Sequence, residues 1–101
     1  MVLKLKVIFS KKGDLRFISH LDLMRLFQRA LRRTSLPVTV TKGFSPHLKI
    51  SITRALKLGV ESSSEEAVFY MDQKVGPDMF TGSMNEKLPA GVKVESTEEI
   101  V

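Results

Sequence analysis

Two histidines, the arginines between positions 25 and 33, and one glycine–proline loop give this chain most of its chemical capacity. Ser19-His20 stands where the residue pattern starts a helix. The unpaired amides and positive dipole end of such a tip attract anions. Lys42-Gly43-Phe44-Ser45-Pro46-His47 reads as a loop whose glycine lets backbone approach a ligand closely. Basic side chains border both segments: Arg16 before the helix, Lys42 and Lys49 around the loop, with Arg54 and Lys57 further along. The chemistry that such a set suits is phosphate binding. The expected ligand site is therefore Arg16, Ser19, His20, Lys42, Gly43, Phe44, Ser45, His47 and Lys49. Each has a plainer use as well. Ser19 caps the helix, His20 falls on the core side of the helix end as a structural histidine, and His47 is an exposed loop residue.

A second set, Arg25, Arg29 and Arg32 with Arg33 beside them, follows helical spacing and could grip phosphates along a nucleic-acid backbone. The plainer reading is a solvated helix face, with Asp22 and Arg25 as an i,i+3 pair and the late arginines favoured by the helix dipole. No nucleophile–base arrangement, phosphate-binding Gly-Lys-Ser/Thr loop or dinucleotide fingerprint occurs, so no catalytic residue is assigned. His20, Asp22 and His47 lack a zinc-type spacing, and no metal or cofactor is expected. The absence of cysteine excludes disulfides, a thiol nucleophile and thiolate-held clusters.

The elements that must position these residues are legible in part. Leu3, Leu5, Val7 and Phe9 alternate with Lys4, Lys6 and Ile8, the period of a half-buried strand. Lys11 to Asp14 reads as a turn. Ser19 and Asp22 then open a helix whose apolar stripe is Leu23, Met24, Phe27, Ala30 and Leu31. Pro37 requires it to end near Arg33 or Thr34. Val38 and Val40, alternating with Thr39 and Thr41, read as a second strand, and Leu48, Ile50 and Ile52 as a short additional one. Arg54 to Ser64 reads as loop and Ala67 to Met71 as a strand. Gly76-Pro77-Asp78 opens a second helix, weakened by Gly82 and Ser83 and closed by Leu88-Pro89-Ala90-Gly91. Val92 and Val94 begin a last strand.

This order predicts one α+β domain, a ferredoxin-like βαββαβ sandwich. Its antiparallel four-stranded sheet would carry two helices on one face and a long loop or extra hairpin between strands two and three. In that topology strands one and two run the same way. The first helix's tip and the segment after strand two then emerge at one end, which brings Ser19 and His20 near Gly43–His47. The open sheet face would carry Lys4, Lys6, Lys93 and either Phe69 or Tyr70. An RNA-recognition sheet wants more aromatics than that.

The net charge of +5 is unevenly spread. Residues 1–60 hold thirteen Lys/Arg against two acids, and residues 61–101 hold three Lys against nine acids. Such asymmetry suits a polyanion partner, though the acidic half also offsets the basic one on folding. The alternating N-terminus is no signal peptide and no apolar run reaches membrane length, so the expected location is the cytoplasm, without membrane association.

The stretch from Arg16 to Ser62 is distinctive: Arg16-Phe17-Ile18-Ser19-His20-Leu21-Asp22, then Arg25, the pair Arg32-Arg33, Gly43-Phe44-Ser45-Pro46-His47, and Gly59-Val60-Glu61-Ser62. It resembles the radical-SAM-linked protein family, a domain of unknown function fused to, or encoded near, radical S-adenosylmethionine proteins. Family members commonly carry Asn where Ser45 stands and Pro where Leu48 stands, and are usually longer; the expectation is that this chain corresponds to their N-terminal portion. The resemblance implies an accessory domain for a separate radical-SAM protein. Three functions follow as expectations. The first is an accessory domain binding RNA or another phosphate-bearing ligand. The second is a metal-independent endoribonuclease resembling CRISPR repeat-processing enzymes, with His20 or His47 as general acid or base. The third is a module docking a radical-SAM protein. Nothing in the sequence specifies an oligomeric state.

Overall fold

The computed structural model describes residues 3–52, 59 and 61–100. Strand β1 (Leu3–Lys11) leads through a 3-10 helix (Gly13–Phe17) into helix α1 (His20–Arg32). Strand β2 (Ile50–Ile52), strand β3 (Ser62–Met71), helix α2 (Pro77–Lys87) and strand β4 (Val92–Ile100) follow. The four strands form one open sheet in the order β2-β3-β1-β4. Every neighbouring pair is antiparallel, so β1 and β2 run the same way.

The alternation of β1 works as the sequence requires: Leu5, Val7 and Phe9 are buried under the helices. Lys4 and Lys6 lie on the opposite, open face, opposite Tyr70 and Val68 of β3. Helix α1 lays Leu23, Phe27, Ala30 and Leu31 on the sheet. Helix α2 adds Phe80 and Met84. Four phenylalanines then connect the layers edge to face. The ring centroids of Phe9 and Phe27 are 5.1 Å apart, those of Phe27 and Phe69 5.6 Å, and those of Phe69 and Phe80 5.0 Å. Because Phe27 and Phe80 both meet Phe69, α1 and α2 cover the same face of the sheet. Each such pair contributes about 0.5–1.5 kcal/mol beyond its burial.

The caps match their sequence signals. Ser19 Oγ accepts the Asp22 N–H at 3.1 Å, and α1 stops at Arg32 with Arg33 as its C-cap. Gly76 and Pro77 start α2 with Asp78 in its first turn.

Several boundaries differ from those the sequence predicts. The strand runs on through Lys11, which is buried, because the pairing of β1 slips against β4 between Ile8 and Phe9 and against β3 between Phe9 and Lys11. Of the turn expected at Lys11–Asp14, Lys11 belongs to β1, and Gly13 and Asp14 open the 3-10 helix. Ser62 to Ser64, expected as loop, belong to β3. Their polar side chains hide the period-two pattern, while Ser62 pairs with Lys11.

The largest difference concerns the second strand. Val38 and Val40 make only isolated bridges, to Met71 and Leu48. The strand that completes the sheet is Ile50–Ile52, expected only as an addition. Both segments share the edge of β3. The Thr39 N–H donates to the Tyr70 carbonyl at 2.8 Å, whereas the Lys49 carbonyl accepts the Tyr70 N–H at 3.2 Å. Chain 38–41 therefore meets β3 only at its end and then turns away. Phe69, a candidate for the open face, is fully buried, and Tyr70 holds that position.

Candidate functional site

Moving β2 from 38–41 to Ile50–Ile52 decides where the loop lies. The rule that segments following parallel strands emerge at one end still holds. It now applies to Gly59 and Glu61, not to Thr41–His47. The loop precedes β2 and so lies beside the later turns of α1, while Gly59 and Glu61 lie at the end where α1 begins.

Contacts at both ends agree with this. At the start of α1, the Gly59 N–H donates to the Arg16 carbonyl at 2.7 Å, and the Gly13 N–H donates to Glu61 Oε2 at 2.8 Å. Arg16 turns its guanidinium back to the Gly13 carbonyl at 2.9 Å and over the Phe17 ring at 4.3 Å. Arg54 and Lys57 lie outside the described residues. At the later turns of α1, the Gln28 side chain clamps the loop. Its Nε2 donates to the Leu48 carbonyl at 2.6 Å, and the Leu48 N–H donates to its Oε1 at 2.9 Å. Gln28 is eight residues after His20, about 12 Å along the helix axis.

The loop itself is closed by a compact network. The Thr41 N–H donates to the His47 carbonyl at 2.7 Å, and the His47 N–H donates to Thr41 Oγ1 at 3.1 Å. His47 Nδ1 lies 3.0 Å from the Ser45 carbonyl oxygen and 3.3 Å from Thr41 Oγ1. A carbonyl only accepts, so in the contact with Ser45 it is His47 Nδ1 that donates. Gly43 has φ +130°, a bend that a side chain would strain. Pro46 fixes the backbone just before His47.

Between this loop and α1 runs an open groove of about 480 Å³ lined by Arg25, Gln28, Arg29, Arg32, Arg33 and His47. None of these is acidic. Arg25 pairs with Asp22 at 3.4 Å between exposed side chains, a contact that contributes little. Arg29 and Arg33 also line a second depression of about 270 Å³ with Leu26, Ala30, Lys87 and Pro89. The positive surface therefore continues across α1 to the end of α2.

The structure thus joins His47 to the arginine face and not to the helix tip. Ser19 is engaged as the cap of α1, and His20 is exposed at its first residue rather than turned to the core. Lys42, Gly43, Phe44 and Ser45 are exposed in the loop that leads to His47, and none of the four lines the groove. Lys49 is on the other side of the sheet. Its Nζ is 4.4 Å from the Tyr70 ring centroid, with Lys4 Nζ at 5.5 Å from the same ring. Lys6 beside them pairs with Glu66 at 3.1 Å. Among the described residues no three His, Asp or Glu side chains gather as a metal site. Sequence reasoning missed Gln28, Thr41 and Lys87. Gln28 borders the apolar stripe, but its use as a clamp depends on the path of a loop twenty residues away.

Fold and groove together define a small α+β domain with a basic groove on its helical side. No helix of the described residues is long and apolar enough to cross a membrane. The chain belongs to the family described as "Uncharacterized protein conserved in bacteria" (DUF2344), which matches residues 4–101. No curated protein and no solved structure matches it.

Proposed function

We propose that this chain is a non-catalytic accessory domain that binds RNA, or another phosphate-bearing polyanion, in the groove between α1 and the Thr41–His47 loop. One observation carries the reading: four arginines and a histidine line a single open groove, with no carboxylate among the described residues that line it. Guanidinium groups match phosphate geometry with several donors each. The continuation of the surface to Lys87 favours an extended ligand over a single phosphate.

The resemblance of Arg16–Ser62 to the radical-SAM-linked family supports an accessory role beside a radical-SAM protein. The element order β1-α1-β2-β3-α2-β4 and the strand order β2-β3-β1-β4 support a ferredoxin-like reading of the fold.

Fluorescence anisotropy with labelled single-stranded and structured RNA tests the proposal. Binding at low salt that weakens steeply as salt rises, and is lost in Arg29→Glu, is the expected result. Undetectable binding to every RNA at low salt overturns it.

A further inference from the structure

We infer that Phe44 is a base-stacking platform, so that the groove's ligand is a single strand with an unpaired base and not a duplex. This inference rests on the proposed polyanion reading of the same groove. Phe44 is fully exposed, the most exposed large apolar side chain among the described residues. Its setting is not that of a slack loop tip. The segment is closed at its base by the Thr41 and His47 backbone bonds and braced inside by His47 on the Ser45 carbonyl. It is stiffened by Pro46 and anchored to α1 through Gln28 and Leu48. Gly43, at φ +130°, supplies the bend immediately before the ring.

A loop whose backbone is already fixed loses little conformational freedom when a flat ligand stacks on the exposed ring it carries. Phe44 is three residues from His47, so its Cα is within about 11 Å of that groove residue. Arginines that hold a phosphate backbone beside an aromatic ring that takes a base are the two components of single-strand recognition. A duplex keeps its bases stacked on one another and offers the ring nothing. Phenylalanine has no hydrogen-bonding group, so the stack is tolerant of base identity.

The experiment compares the full chain with Phe44→Ala and Phe44→Trp, using oligouridylate, duplex RNA of equal length and inorganic polyphosphate. Phe44→Ala is expected to lower affinity for oligouridylate by about tenfold, the size of one base–aromatic stack, and to leave the other two unchanged. Phe44→Trp is expected to bind oligouridylate as the unaltered chain does. Since the chain has no other tryptophan, its indole emission reports on the stack directly and should be quenched by oligouridylate but not by polyphosphate. Oligouridylate binding that is the same in Phe44→Ala, or an indole left unquenched at saturation, overturns the inference while the groove reading stands. If the unaltered chain binds none of the three probes, both readings fail together.

Discussion

Gln28 and Leu48 are joined by two hydrogen bonds, amide to peptide in both directions, at 2.6 and 2.9 Å. This clamp fixes the loop that carries His47 against the arginine face of α1. Asn85 of α2 does the same to Val94 of β4, donating to its carbonyl at 3.0 Å and accepting its N–H at 2.8 Å. Each helix thus uses one amide side chain to hold backbone that the sheet's own ladder leaves over.

Replacing Gln28 by Ala strands both Leu48 backbone groups in a partly buried position. The expected cost is about 1–3 kcal/mol, read as a lowered urea midpoint. RNA affinity should also fall although every arginine is retained. Affinity equal to that of the unaltered chain would mean that the loop does not contribute to the groove.

Arg29 lines both basic depressions, and its removal should register in the salt dependence of binding. For a single-stranded ligand, Arg29→Ala is expected to reduce the slope of log affinity against log salt by about 0.7 for each phosphate that the variant no longer neutralises. Arg16→Ala should leave the slope unchanged, since Arg16 lies at the other end of α1 against Gly13 and Phe17.

Phe27 stands between Phe9 and Phe69 in the core. Phe27→Ala should destabilise the fold by about 3–5 kcal/mol, through reduced burial and the cavity left behind. Urea or thermal unfolding monitored by far-ultraviolet circular dichroism checks this.

Gly91 has φ +102°, and a Cβ there would lie 2.9 Å from the Lys12 carbonyl oxygen. The same turn accepts the Lys12 N–H on the Gly91 carbonyl at 2.8 Å. Gly91→Ala is expected to cost about 1–3 kcal/mol of stability, with RNA binding by the folded protein unaffected. Urea unfolding and an RNA titration of the same preparation check both halves of this.

RNA incubated with the protein in chelator should stay intact, as a binding domain requires. Cleavage that disappears in His47→Ala, with folding preserved, would point instead to a metal-independent nuclease with His47 as general acid or base.

Helix α1 was legible in detail, because its cap, stripe and stop are all local signals. So were the start of β1, the borders of α2 and the onset of β4. The edge of β3 was not. Val38–Thr41 and Leu48–Ile52 have equal alternation, and only the register against Tyr70 decides which one joins the sheet. That ambiguity carried over to the site. Assigning the second strand to 38–41 sent the Gly43–His47 loop to the tip of α1, whereas assigning it to 50–52 sends the loop to Gln28 and the arginines. The arginine stripe and the loop were each visible in the sequence, but their meeting depends on tertiary path.

A groove that binds RNA must localise the affinity, which net charge alone would not do. Two charge reversals of equal size separate these possibilities: Arg29→Glu in the groove, and Lys93→Glu at an exposed position of β4 outside the groove. Labelled single-stranded RNA is titrated with each variant at one low salt concentration. Arg29→Glu is expected to abolish binding while Lys93→Glu binds nearly as tightly as the unaltered chain. Equal losses in the two variants would mean that charge acts without a site, and would contradict the groove.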